Sequence, residues 1–341
     1  AIDRYVLAAA SPRGDDVIRV AALDFDQEVR FALSDIVHDS EHSWSNYVRG
    51  VLAVLEQVGY RLGGMDLVYA GNVPIGAGLS SSAAVEVAVA TAADRLFDLN
   101  LPGIELARIC QRAEHEFAGT QCGLMDQLIS VQAKQGHALL IDCRHFSWEA
   151  VPLPAGESVI VCDTGKRRGL ADSAYNERRA QCEEGARRLG VATLRDLDED
   201  TFEDRASELP ALLRKRARHV VHENARTLRA AQVLRRGDVV AFGQLMDESH
   251  ASLRDLYEVS SDELDLMSAL ARSFPGCRGA RMTGAGFGGC VVALVQEAEA
   301  ESFVESVGPL YERQAMRRPA LYVCQAAAGA GTVGNDRRPV A

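Results

Sequence analysis

Hydrophobic and polar positions change period several times along the chain, and each change predicts an element. Residues 2–9, 17–22 and 28–33 alternate or cluster β-forming side chains around the turn Ser11-Pro12-Arg13-Gly14-Asp15, the pattern of an antiparallel meander. From Trp44 the spacing turns helical, with Val48, Val51, Leu52, Leu55 and Val58 on one face before a stop at Gly59. Residues 65–70 read as a short strand and 71–78 as a loop. Residues 80–97, rich in Ala and Val and free of breakers, read as a buried helix. Pro102-Gly103 opens a helix running to Ala118, and a loop over 119–123 leads to a helix over 124–134. Strands over 138–143 and 158–163 close this half.

After Gly165-Lys166-Arg167-Arg168-Gly169 the pattern shifts to long charged helices over 172–189, 212–235, 239–256 and 262–272. The β character returns over 289–296 and 320–325, around a helical stretch at 298–317, and residues 336–341 read as a loose tail. Strands and helices mix without strict βαβ alternation, which predicts an α+β protein in two layers. The change of composition sets two domains, 1–163 and 164–341.

Composition adds constraints. With 341 residues, 47% apolar and 25% charged, the chain can fill about two globular cores. A net charge of −11 excludes a non-specific polyanion binder, so no nucleic-acid partner is expected. No window is long and apolar enough for a membrane span, and no signal peptide is visible at the start, so no membrane partner is expected. The cysteines at 110, 122, 143, 162, 182, 277, 290 and 324 stand singly, without metal-knuckle or redox spacing, and are expected to be reduced thiols of a cytoplasmic protein. The pair His219 and His222 with Glu223 shares a helix face but lacks the further ligand of a metal site. The run Arg214-Lys215-Arg216-x-Arg218 reads as a solvated helix face.

Two glycine loops carry the candidate chemistry. In Pro74-Ile75-Gly76-Ala77-Gly78-Leu79-Ser80-Ser81-Ser82-Ala83-Ala84, glycines allow backbone N–H groups to approach an anion. The helix that follows presents unpaired amides and a positive dipole end at the same place. A plain serine N-cap after a glycine turn is the alternative. The loop has neither the lysine of a P-loop nor the Gly-x-Gly-x-x-Gly dinucleotide pattern. The second loop, Met282-Thr283-Gly284-Ala285-Gly286-Phe287-Gly288-Gly289-Cys290, spends so many glycines that close backbone approach to a ligand or to the first loop explains it better than a bare turn.

Together these loops resemble the second and third motifs of the GHMP small-molecule kinases, which include galactokinases and homoserine, mevalonate and phosphomevalonate kinases. The galactokinases are the nearest group. Ser43-Trp44-Ser45-Asn46-Tyr47-Val48, Ala113-Glu114-His115-Glu116-Phe117-Ala118-Gly119, Cys122-Gly123-Leu124-Met125-Asp126-Gln127, Arg216-Ala217-Arg218-His219-Val220-Val221 and Tyr257-Glu258-Val259-Ser260 resemble their signatures in the same order. The resemblance implies an N-terminal S5-domain-2-like domain and a C-terminal ferredoxin-like domain. It implies a monomeric ATP-dependent sugar 1-kinase that acts on galactose with Mg²⁺.

On the matched positions, Asp126 is the catalytic residue, and Gly123, Asp126 and Tyr175 contact the sugar. Trp44, Gly76, Ala77, Gly78, Leu79, Ser80, Ser81 and Ser82 bind nucleotide, and Gly284, Gly286 and Gly288 form the second loop. Ser82 and Glu114 hold the metal. A regulator that binds galactose and ATP without turnover, a truncated remnant, and a kinase for N-acetylgalactosamine are the alternatives. Galactokinases begin with a segment resembling Gly-Arg-x-Asn-Leu-Ile-Gly-Glu-His-Thr-Asp-Tyr, upstream of the position matching Ala1. Without its arginine and sugar contacts, little activity and an open sheet edge are expected of the chain as given.

Overall fold

The structure, a computed structural model, describes residues 1–76, 78–120, 122–167 and 171–333, the side chains of 171–173 excepted. The expected tail at 336–341 lies outside the described residues. Backbone proximity divides the chain into two units. The first is Ala1–Pro74, Ser80–Ala150 and Ala326–Ala341, and the second is Ile75–Leu79 with Val151–Gln325.

In the first unit, β1 (Val6–Pro12), β2 (Val17–Ala22), β3 (Gln27–Ala32) and β4 (Met65–Gly71) form one sheet in the order β1-β4-β2-β3. The expected meander is therefore corrected. β2 and β3 make an antiparallel hairpin, but β4 inserts between β1 and β2, antiparallel to the first and parallel to the second. The turn residues explain why. Arg13 N donates to Gly64 O at 2.8 Å and Gly64 N donates to Asp15 O at 3.0 Å, so the turn binds the entry to β4 instead of closing its own hairpin. Residue 64 must be glycine for this approach, since a Cβ there would lie 2.3 Å from Asp15 O. The Arg13 guanidinium, paired with Asp15 at 2.8 Å and Asp66 at 3.0 Å, fastens the same corner.

Ile18, Val20 and Ala22 face inward from β2 while Arg19 faces water, so one side of the sheet is apolar. Helices α1 (Ser45–Gln57), α2 (Ser81–Leu96) and α3 (Gly103–Ala113) cover it, with Val48, Val51, Leu52 and Leu55 of α1 fully buried. Each such side chain contributes about 1.5–3 kcal/mol relative to exposure. Alanines 83, 90 and 93 give α2 a thin buried face that admits close packing. The helix expected to run to Ala118 changes character at Glu114, where a single π-helical turn, Glu114–Ala118, closes on Gly119 at φ 77°. Helix α4 (Met125–Gln132) follows, then a ribbon of β5 (His137–Asp142) and β6 (Ser147–Pro152). β6 escaped the sequence pattern because most of its residues are exposed and mixed in polarity.

In the second unit, β7 (Glu157–Asp163), β8 (Cys277–Met282), β9 (Cys290–Gln296) and β10 (Ala320–Cys324) form an antiparallel sheet in the order β10-β7-β9-β8. Ranked along the chain, that order is 4-1-3-2, the ferredoxin-like arrangement. Helices α5 (Ala171–Arg188), α6 (Glu199–Arg205), α7 (Ala211–Arg235), α8 (Val239–Ser252), α9 (Asp262–Ser273) and α10 (Ala300–Ala315) belong to this unit. β7 pairs with β9 and β10, so the division falls after Ala150 and not after Asp163 as the change of composition suggested.

Arg216 corrects the reading of its basic run as a solvated face. It is 2% exposed, and its guanidinium donates to Gln181 Oε1 at 3.0 Å, Leu256 O at 2.6 Å and Glu258 Oε2 at 2.6 Å. Those partners offset the cost of burying the charge. His219 hydrogen-bonds Ser252 and stacks on Tyr257, while His222 pairs with Glu199 and Glu203, so both histidines are structural. No disulfide joins any of the eight cysteines. Among the described residues no helix is long and apolar enough to cross a membrane.

Candidate active site

The serine loop is built for backbone exposure. Gly76 and Gly78 adopt φ of 70° and 80°, and Ser80 itself is left-handed at φ 55°, a conformation that costs a non-glycine residue of order 1 kcal/mol or more. Ser80 stands at the N-cap of α2, yet its side chain makes no capping bond. The plain N-cap reading is therefore not met, and the first amides of α2 remain open donors at the positive end of the helix. Ala77 lies outside the described residues.

Behind this helix start, in the first unit, sits a buried polar cluster. Ser82 Oγ donates to Glu114 Oε1 at 3.0 Å, joining the two residues expected to hold a metal. Gln127 Nε2 donates to Glu114 Oε2 at 2.7 Å and to Glu86 Oε2 at 3.2 Å. Cys122 Sγ donates to Glu114 Oε2 at 3.4 Å; burial, then the charge of Glu114, pushes its thiol up to about 12, so it keeps the proton it donates. Glu86 and Gln127 are both wholly buried. Burial, reinforced by the charge of Glu114, lifts the Glu86 carboxyl to about 9, and it is neutral at ordinary pH.

Packing fixes Glu114. The π-helical turn rests on α1 at Gly50, where a Cβ would come within 3.0 Å of Ala113 O and Phe117 Cβ. Cys122 O, which accepts from Gln111 Nε2 at 3.1 Å and from His115 Nε2 at 2.8 Å, ties down the loop leading to Gly123 and Asp126. Asp126 is half-buried in the first turn of α4, and Gly123 is exposed.

The other side of the π-helical turn borders a cavity of about 480 Å³ lined by Phe25, Gln27, His38, Trp44, Tyr47 and Phe117, among others. Trp44 stacks on Phe25 with ring centroids 6.2 Å apart, and its indole N–H donates to Gln27 Oε1. An aromatic slot of this size with polar groups at its edge suits a flat heteroaromatic ring.

In the second unit the glycine loop has a structural reason for its composition. A Cβ on Gly286 would lie 2.1 Å from Val259 O, and one on Gly288 would lie 2.8 Å from Lys166 O. Phe287 N donates to Val259 O at 2.7 Å and Gly289 N to Lys166 O at 2.9 Å. The loop is thus a backbone junction that seats residues 164–167. That segment brings the Arg167 guanidinium, paired with Asp163 at 3.4 Å, within 3.9 Å of a Cβ built on Gly76. Tyr175 is exposed on α5.

Residues 46–134 match the model of the GHMP kinases N terminal domain, and residues 230–311 match that of the GHMP kinases C terminal domain. The galactokinase of Roseiflexus sp. (strain RS-1) is 48% identical over 344 residues, which cover 99% of this chain and 88% of that protein. The chain belongs to the galactokinases, a branch of the GHMP kinases. The galactokinase of Lactococcus lactis, crystallised with galactose, superposes with a TM-score of 0.92 at 35% identity, covering 97% of this chain and 88% of that one. The mevalonate kinase of Methanococcus jannaschii, at 18% identity and a TM-score of 0.68 over 96% of this chain and 90% of its own, shares the fold alone.

Among galactokinase positions expected from sequence, Ser82 and Glu114 meet directly, while Asp126 adjoins their cluster through Gln127. Trp44 lies at the separate aromatic cavity. Glu86, Gln127 and Arg167 were not singled out from the sequence. For Glu86 a signal existed: a carboxylate one turn after Ser82 on the small-residue face of a buried helix.

The donors at Ser82 and Glu114 are hard oxygens, the chemistry Mg²⁺ prefers, and among the described residues no group of three or more His, Cys, Asp or Glu gathers to hold a metal. Such a pair fits an ion that takes its remaining ligands from phosphate and water.

Proposed function

We propose that this protein transfers the γ-phosphate of ATP to the 1-hydroxyl of α-D-galactose, giving galactose 1-phosphate and ADP. The observation that carries this reading is the Ser82–Glu114 pair, its carboxylate buried and its hydroxyl half-buried, at a helix start with open amides. It stands in a chain that aligns with a galactokinase over 99% of its length.

The amides and hydroxyls of residues 76–82 receive the phosphates, whose charge the helix dipole favours. Ser82 and Glu114 would hold Mg²⁺, which would supply positive charge to offset that of the transferring phosphate. Asp126 accepts or orients the attacking hydroxyl proton; a loose transition state needs positioning more than prior deprotonation. Gly123 and Tyr175 take the sugar contacts that the family resemblance assigns to them. Trp44, at a cavity of about 480 Å³, stacks on adenine. The reaction is cytoplasmic, in keeping with eight cysteines and no disulfide.

The test is ADP release from ATP and Mg²⁺ with galactose, N-acetylgalactosamine or no sugar. In a chain carrying the upstream segment that galactokinases have, release that depends on galactose is expected, and Asp126→Asn there should lower turnover by about 10²–10⁴ while nucleotide affinity is kept. Unaltered turnover in Asp126→Asn would refute the assignment of the base. Binding of both substrates without turnover would point to a silent regulator.

A further inference from the structure

The two oxygens of Glu114 have different surroundings. Oε1 accepts from Ser82 Oγ at 3.0 Å, whereas Oε2 accepts from Gln127 Nε2 at 2.7 Å and Cys122 Sγ at 3.4 Å. The Gln127 amide nitrogen also reaches Glu86 Oε2 at 3.2 Å, so its two N–H groups divide between two carboxyls. The Glu114 carboxylate fixes the direction of this amide, since turned over it would present Oε1 to that carboxylate and lose the 2.7 Å bond.

We infer that Gln127 is a positioning residue whose amide clamps Oε2 of Glu114 and so leaves Oε1 facing Ser82, ready for a divalent cation. This rests on the reading of Ser82 and Glu114 as metal ligands. Without Gln127, Glu114 would be held only by Ser82 and the weak Cys122 thiol donor, free to swing about its three torsions, and a ligand that wanders binds weakly. The clamp removes that freedom from the opposite side. Because Gln127 follows Asp126 in the first turn of α4, the same backbone that places the hydroxyl-facing carboxylate also sets the metal-facing one. Gln127 also bonds Oε2 of Glu86, and a purely structural role would end there. The two roles separate when both partners are replaced.

The experiment titrates Mn²⁺ into the protein loaded with a non-hydrolysable ATP analogue and follows free Mn²⁺ by electron paramagnetic resonance. The variants are Gln127→Met, which keeps length and loses the donor, Gln127→Leu as a second fold-compatible choice, Glu114→Gln, and the double Glu86→Leu/Gln127→Leu. Thermal unfolding checks that each is folded. Mn²⁺ affinity should fall by about 10–100-fold in Gln127→Met, the usual cost of losing a partner behind a metal ligand. The Mg²⁺ needed for half-maximal turnover should rise in step, and the analogue's affinity measured without metal should stay as in the wild type. The double variant should remain as weak as the single ones.

Wild-type Mn²⁺ affinity in Gln127→Met beside a loss in Glu114→Gln would overturn the inference and leave the metal ligands standing. Recovery in the double variant would reduce Gln127 to a partner for Glu86, also overturning it. Unchanged affinity in Glu114→Gln would overturn the metal reading and the inference with it.

Discussion

Glu86→Gln tests the electrostatics of the buried cluster without disturbing its shape. Glu86 is fully buried, and desolvation together with the charge of Glu114 raises its folded pKa from 4.5 to about 9. The unfolded chain loses this proton near the lower value while the folded protein keeps it. Between the two values the folded state therefore binds more protons, so stability is full below about pH 4.5 and declines as pH climbs toward 9. Each pH unit costs about 1.4 kcal/mol, which amounts to about 3 kcal/mol at pH 7. Glutamine in its place still offers Gln127 an acceptor oxygen, and its own amide is a donor where Gln127 Oε1 now has no partner. The variant carries no titration at this position. Urea unfolding of both proteins, with chelator and without nucleotide, should show similar stability near pH 5 and a gap widening to about 3 kcal/mol in favour of Glu86→Gln near pH 7. A gap that does not change with pH would mean that Glu86 is ionised in the folded state, and the account of the cluster would fail.

Two further substitutions probe the second unit. Gly286→Ala places a Cβ 2.1 Å from Val259 O at a φ of 86°, and differential scanning calorimetry should show destabilisation of roughly 2–4 kcal/mol; a shift within error would refute the junction role of the glycine loop. His219 is held neutral, burial lowering its pKa from 6.5 to about 4, so the folded state resists a proton that the unfolded chain takes up, and stability is lost as pH falls through that interval. His219→Gln, which keeps a partner for Ser252, should flatten this acid decline by up to about 3 kcal/mol, and an unchanged slope in acid unfolding would remove His219 from the account.

Helix positions were readable because their apolar spacing is local: α1, α2 and α7 fall within a residue or two of their expected limits. The place of β4 was not, because the bonds that draw it between β1 and β2 join Arg13 and Asp15 to Gly64, some fifty residues away, and leave no periodic trace. The Ser82–Glu114 pairing came from family resemblance, and the 3.0 Å contact supports it across 32 residues of sequence. Glu86 and Gln127 escaped notice, and Arg216 was read as solvent-facing, for one shared reason. Sequence patterns treat polar side chains as solvent-facing, and these three are buried by partners that lie elsewhere in the chain. Backbone contacts to Val259 and Lys166 give Gly286 and Gly288 a structural reason that no local pattern could show.

The end of the chain returns to its beginning: Ala326 bridges Ile2, Ala327 N donates to Ala1 O, and Ala330 N donates to Ser130 O. β10, just before it, completes its sheet against β7, whose residues are synthesised some 160 positions earlier. Neither half can thus mature while residues 320–330 are still inside the ribosome. Nascent chains must wait with exposed apolar surface until that segment emerges, and a premature stop before Ala320 would cripple both halves together instead of sparing the one already made.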